Sequence, residues 1–291
     1  MAEDHPQYKD RLFNFIFGSE ENKAWTLSLY NAINGSDYTD PNAIEIATIK
    51  EIMYLGMRND VAFIIAEEMN LFEHQATYNP NMPLRLMQYA GNLYEKYIME
   101  RKLNKYGKTL VKLPAPKLVV FYNGTDEQED ETILKLSDSF PEGADFDIEV
   151  KVRMLNVNYG RNRKLLEACK PLSEYAWIVQ EVRKNKTRED LDSAIDRAIT
   201  DMPDEFFIKP FLMAHRAEVK GMLLTEYNEA ETMELFKEEG REEGRKEGRM
   251  EGQLEKAKQT ALNLLRIGKL TLAEIAESVG LPMAEIQKIA R

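Results

Sequence analysis

The passage from Asp60 to Pro83, "DVAFIIAEEMNLFEHQATYNPNMP", constrains the fold of this chain more than any other. It holds a short apolar run, "DVAFIIAE", then "MNLFEHQAT", and it ends in a cluster of breakers, Asn79, Pro80, Asn81 and Pro83. Upstream, Ile44 and Ile46 alternate about Glu45 in "AIEIATIKEI". Three strands in succession is the reading. Beyond the breakers, Leu86, Tyr89 or Ala90, Leu93 and Tyr97 form a helical stripe that carries through roughly Arg101. "KLVVFYNG" is then a fully apolar strand ended by Asn-Gly, and "DIEVKVRMLNV" is another. Before all of these, "SEENKAWTLSLYNAI" predicts a helix capped by Ser19, with Glu20 and Glu21 at its positive end and Trp25, Leu29 and Ala32 or Ile33 on one stripe. The order helix, three strands, helix, two strands predicts an α/β fold in which helices flank a mixed sheet.

No strand pattern returns after Val157. "NRKLLEAC", "LSEYAWIVQEVRKN" and "TREDLDSAIDRAI" are helical, the last with Thr187 and Asp190 as a capping pair over a buried stripe of Leu191, Ile195 and Ala198. "FFIKPFLMAHRAEVKGMLLTEY" continues in the same manner. Then the composition changes. "KEEGREEGRKEGRMEGQ" sets Gly240, Gly244, Gly248 and Gly252 four residues apart among charges, which predicts a solvated, marginal helix or a hinge. Leu254, Ala257, Ala261 and Leu265 restore an apolar stripe, and "TLAEIAESVGLPMAEIQKI" reads as helix, turn, helix with a Thr271/Glu274 capping box and Gly280 as the stop. Glu285 on the second helix argues against reading DNA bases and favours packing or self-association. Four segments follow: a core over 1–200, its helical extension over 201–235, a Gly/Glu/Arg-rich connector over 236–253 and a small oligomerising module over 254–291.

With 291 residues, 43% of them hydrophobic, the chain can bury a large core without staples, and its single cysteine, Cys169, excludes an internal disulfide. The start lacks a signal-peptide pattern and no apolar stretch is long enough to span a bilayer, so a cytoplasmic, non-membrane protein is expected. A net charge of −11 argues against non-specific coating of nucleic acid. Two local segments break that balance. Arg101–Lys117 carries six basic residues and no acidic one, and Lys151–Lys164 carries five and none. Together they lean towards a polyanion, with Lys105, Lys108, Arg161 and Arg163 as candidate contacts.

In a strand, residues i and i+2 share a face, so Glu73 and Gln75 point together and His74 points away. Asp60 opens the preceding strand, and a hairpin can bring it within reach of Glu73. Two carboxylates so placed, with the backbone carbonyl of His74, make a hard-oxygen set suited to Mg2+ or Mn2+, with Ca2+ a third candidate. If the pattern carries no chemistry, Asp60 caps a strand end and Glu73 and Gln75 line a solvated face. Arg85, one turn into the next helix, can reach a phosphate. The three histidines are scattered, Cys169 sits in a plain helical pattern as a structural thiol, and no phosphate-cradling glycine loop precedes a helix. No nucleotide cofactor is expected.

The run "NDVAFIIAEEMNLFEHQATYNPNMPLRLMQYAGNLYEKYI" resembles the Rpn group of recombination-promoting nucleases and transposases, members of the PD-(D/E)XK nuclease superfamily. So do "PKLVVFYNG", "VNYGRNRKLLEACKPLSEYAWIV" and the tail "EEGREEGRKEGRMEG", and the likeness covers about Lys9 to Gly252. The resemblance implies a PD-(D/E)XK core and a divalent-metal-dependent DNA endonuclease. Asp60 and Glu73 would be metal ligands, and Gln75 would stand in the place of the superfamily's lysine. It further implies a role in recombination, transposition or defence against foreign DNA. Asn59 stands where the superfamily name expects proline. The alternative is a catalytically silent DNA-binding or oligomeric regulatory protein that keeps the nuclease fold.

Overall fold

In a computed structural model the strand signals that follow Asp60 become two neighbouring strands of one sheet. Residues 12–47 and 61–290 are described. The chain divides into two units, Met1–Asn228 and Glu229–Arg291. In the first, β1 (Glu45–Ile46), β2 (Val61–Ile65) and β3 (Glu68–Gln75) form an antiparallel meander. Helix α3 (Met82–Glu100) then crosses back to β4 (Ala115–Tyr122), which lies parallel to β3. β5 (Glu131–Lys135) and β6 (Lys151–Asn156) complete six strands in the order β1-β2-β3-β4-β6-β5, with β6 parallel to β4 and β5 an antiparallel edge. The α/β class and the mixed sheet agree with the sequence reading.

Each face of the sheet has its own core. Ala62, Met69, Leu71, Val120, Tyr122, Val152 and Met154 pack on Met82, Leu86, Tyr89 and Leu93 of α3. On the other face Phe63, Phe72, Phe121 and Leu155 meet α1 (Leu12–Phe17), α2 (Lys23–Asn34), α4 (Arg163–Ala168) and α5 (Lys170–Lys186). Around them stand α6 (Leu191–Thr200) and α7 (Lys209–Ala214). Because both faces are covered, the strands are apolar on both sides, which is why "VAFII" shows no alternation.

Two elements escaped the sequence reading. α1, "LFNFIF", is buried at Leu12, Phe13, Ile16 and Phe17 and has too few polar positions to mark a helical period. β5 buries only Leu134 and, as a short edge strand, leaves almost no pattern. Two local expectations also change. A 3-10 turn over Glu20–Asn22, capped by Ser19, precedes α2. Asp190 caps α6 through Ser193 N, while Thr187 hydroxyl donates to Lys184 O and so belongs to the end of α5. The β2–β3 hairpin turns on Ala66 and Glu67, both left-handed (φ 50° and 63°) without the glycine such a turn favours.

α8 (Arg216–Ile267) includes the four spaced glycines, so the connector is helical. In the second unit α9 (Leu272–Val279) opens with the expected Thr271/Glu274 capping box and closes on left-handed Gly280 before α10 (Met283–Ile289). Its core is small, formed by Ala261, Ile275 and Ile286 with partly buried neighbours, whereas Met250, Leu254, Ile267 and Leu272 remain exposed. No helix among the described residues is long and apolar enough to cross a membrane.

Candidate functional site

β3 delivers Glu73 and Gln75 to the α3 face of the sheet, because they continue the row of Met69 and Leu71. His74, like Phe72, goes to the opposite face. The shared face is not solvated. Glu73 is 2% exposed and Gln75 7%. An ionised carboxylate at that depth is costly unless a charge or donors compensate it. Arg85, one turn into α3, supplies one: its Nη2 lies 4.0 Å from Glu73 Oε2. The same guanidinium donates to Tyr89 hydroxyl at 3.2 Å, and its side chain stays 34% exposed. Arg85 therefore links the buried carboxylate to the surface. Pro83 and the breakers before it start α3 beside the carboxyl end of β3 and so place Arg85 there.

His74 is committed elsewhere. Its ring stacks on Phe13 at 5.5 Å, and its Nε2 is 2.8 Å from Tyr175 hydroxyl, which also accepts from Asn123 Nδ2 at 3.1 Å. Only its backbone carbonyl was expected at the site.

The carboxyl ends of β3, β4 and β6 form one polar edge that the sequence reading did not assemble. Gln75 lies beside Tyr122 and Tyr122 beside Asn156 in strand register. Asn158 Nδ2 donates to Asn156 Oδ1 at 2.9 Å and to Gly124 O at 3.0 Å, and Arg183 of α5 donates to Asn158 Oδ1 at 2.7 Å and to Asn123 O. Tyr122 is fully buried, its hydroxyl donates to Asp126 O at 2.9 Å, and burial raises its pKa. The signal was present as "YNG" and "NVN", but polar residues after a strand also mark ordinary turns. Cys169 is buried and burial pushes its thiol up to about 11, which suits a structural role.

The basic candidates separate. Ala115 pairs with Glu68, so the loop that carries Lys105 and Lys108 enters at the amino end of β4. That is about 20 Å along the strand from Gln75. Lys105 is ion-paired with Glu95. Arg161 and Arg163 instead follow β6 at the carboxyl edge, both exposed, with Arg161 3.5 Å from Glu127. Lys105 and Lys108 thus stand towards one end of the sheet and Arg161 and Arg163 at the other.

Asp60 lies outside the described residues. Val61, the next residue, pairs with Phe72, which immediately precedes Glu73. Among the described residues no group of three or more His, Cys, Asp or Glu could hold a metal. Of the expected ligand set, the Glu73 carboxylate is described, and it is a hard oxygen donor of the kind that Mg2+-type ions take. No protein-family model, curated protein or solved structure matches the chain.

Proposed function

We propose that the chain is a divalent-metal-dependent DNA endonuclease with a PD-(D/E)XK-type core, tied to recombination, transposition or defence against foreign DNA. One observation carries the reading: Glu73 and Gln75 lie buried side by side where β3 ends, under a partly exposed Arg85, at an edge that also gathers Asn156, Asn158 and Arg183. Glu73, Asp60 and the carbonyl of His74 would hold Mg2+, or Mn2+ or Ca2+. When bound, such an ion would lower the pKa of a water and offset charge on the scissile phosphate. Gln75 would orient the attacking water by hydrogen bonding alone, since a neutral amide lacks the charge of lysine. Arg85 fixes the Glu73 carboxylate and meets an incoming phosphate with its exposed edge.

Supercoiled plasmid incubated with the protein and Mg2+, Mn2+, Ca2+ or EDTA tests the proposal. Nicking that EDTA stops supports it, and no cleavage with any ion defeats it. The second reading, a silent DNA-binding protein, draws on the Arg85–Glu73 contact, since an arginine beside a buried carboxylate is also how a purely structural ion pair is built. DNA binding without cleavage is its signature.

The edge geometry directs where DNA would lie. Arg161→Glu with Arg163→Glu is expected to weaken DNA binding and reduce its salt slope by roughly 0.9 for each phosphate that the protein no longer neutralises. Lys105→Glu with Lys108→Glu is expected to change the slope little. Fluorescence anisotropy at several salt concentrations measures both, and equal effects would remove the carboxyl edge as the DNA-facing side.

The second unit is proposed as a homo-oligomerisation element, because its small core leaves Met250, Leu254 and Ile267 exposed. A chain ending at residue 236 is expected to be monomeric by light scattering while the full chain is not. Equal states for both would show that the tail does not assemble the protein.

A further inference from the structure

β5 lies at one side of the sheet, with β6 as its strand neighbour. The hydrogen bonds that continue this ladder past both ends of β5 fix which of its backbone groups point where. Leu136 N donates to Val150 O at 2.9 Å, and Asn156 N donates to Asp130 O at 3.0 Å. Bonding alternates along an antiparallel pair, so Thr132 and Leu134, in phase with Asp130 and Leu136, turn their N–H and C=O groups towards β6. Glu131, Ile133 and Lys135 turn theirs outwards. No backbone group of another described residue takes them up. The outward row runs about 14 Å along the edge, and Ile133 at its centre is 43% exposed.

An open edge is ordinarily guarded by charge, and here the guard is acidic. From Asp126 to Glu149 the chain carries ten acidic residues and one basic, Lys135. Arg161 pairs with Glu127, Arg153 pairs with Glu131, and Ser137 hydroxyl donates to Glu149. Among the described residues no cation holds Glu129 or Asp130 before the strand, or Asp138, Glu142, Asp145 and Asp147 after it, and all six are exposed. This charge selects against a second copy of the chain. Pairing β5 with itself about Ile133 would lay the leading acidic flank of each copy beside the trailing flank of the other, where like charges repel. The one favourable match in such a pair, Glu131 against Lys135, is weakened because Glu131 already holds Arg153. A strand of opposite charge fits the edge instead.

We propose that the free edge of β5 docks an extended, lysine- or arginine-rich segment of another protein as a further strand of the sheet. The backbone of that segment bonds to the N–H and C=O groups of Glu131, Ile133 and Lys135. An apolar side chain covers Ile133, while basic side chains at the two ends meet Glu129 and Asp130 on one side and Asp138 on the other. Main-chain bonds supply the affinity, and the acidic flanks choose the partner. The site is independent of the nuclease reading, because β4 and β6 lie between β5 and the strand that carries Glu73.

Fluorescence anisotropy of a labelled heptapeptide, with a Thr-Val-Thr centre and a pair of lysines at each end, titrated with the full chain tests this. Saturable binding that weakens with salt is expected. Companion peptides of the same charge carry N-methyl groups on alternate residues, in one phase or the other. The phase whose N–H groups face β5 is expected to lose at least about tenfold in affinity, while the other stays within about threefold of the parent peptide. Ile133→Pro removes an outward N–H and no ladder bond, so the fold is expected to stand and peptide affinity to fall by at least about tenfold. Asp130→Lys with Asp138→Lys is expected to weaken the peptide without altering the backbone edge. The proposal falls if the peptide shows no saturable binding, if both methylated peptides bind alike, or if Ile133→Pro, folded by circular dichroism, binds like the parent. Should Ile133→Pro unfold the chain, the methylated peptides decide the matter by themselves.

Discussion

Glu73→Gln is expected to lower metal-dependent plasmid cleavage by at least about a hundredfold, the scale of losing a few kcal/mol of transition-state stabilisation. The substitution keeps the shape of a side chain that is 2% exposed, so it opens no cavity. It removes the charge that would hold the cation. Arg85 would lose its counter-ion at 4.0 Å, but with a third of its side chain in solvent it can turn to water, so the cost to folding should stay near about 1 kcal/mol or below. Initial rates on supercoiled plasmid and thermal melts, taken on the same sample, separate the two roles. A rate within about threefold of the parent would remove Glu73 from the chemistry. A collapsed melting temperature would instead mark the Arg85–Glu73 contact as structural.

Gly124→Ala should produce the largest loss of stability of any single methyl group added to this edge. A Cβ there would stand 2.3 Å from Ala76 O, 2.5 Å from Tyr122 hydroxyl and 2.7 Å from a Tyr122 ring carbon. None of these can yield cheaply. Ala76 directly follows β3, and Tyr122 is fully buried with its hydroxyl bonded to Asp126 O. The Gly124 carbonyl is itself held by Asn158. Relief requires moving the ends of β3 and β4 apart, at roughly 3 kcal/mol or more. For a unit of this size that corresponds to a fall in melting temperature of about 6–12 °C, and a fall below about 2 °C would show that the loop steps aside freely. Because Gln75 and Tyr122 are register partners, the same variant should also impair cleavage even at temperatures where it remains folded.

The pairing of Glu73 with Gln75 and the exclusion of His74 were legible from the two-residue period of β3 alone, since backbone pleating decides them. The breakers between Asn79 and Pro83 likewise announced where α3 starts, and the Thr271/Glu274 box where α9 starts, because those signals act within a few residues. Burial was not legible. Whether the Glu73 face meets water depends on α3 lying across it, and α3 is placed by Leu86, Tyr89 and Leu93 packing on strands distant in the chain, Met154 of β6 among them. The two basic segments looked alike as sequence, yet strand direction sends Lys105 and Lys108 to one end of the sheet and Arg161 and Arg163 to the other.

Local periodicity and capping were therefore enough for the α/β class, the strands β1, β2, β3, β4 and β6, the helices from α2 to α10 in outline, and the sharing of one face by Glu73 and Gln75. The order β1-β2-β3-β4-β6-β5, the buried setting of Glu73, the close approach that demands Gly124, and the open edge of β5 emerge only in three dimensions. These depend on which strands become neighbours. That choice is made by non-local burial of two apolar faces at once, and no window of the chain contains it.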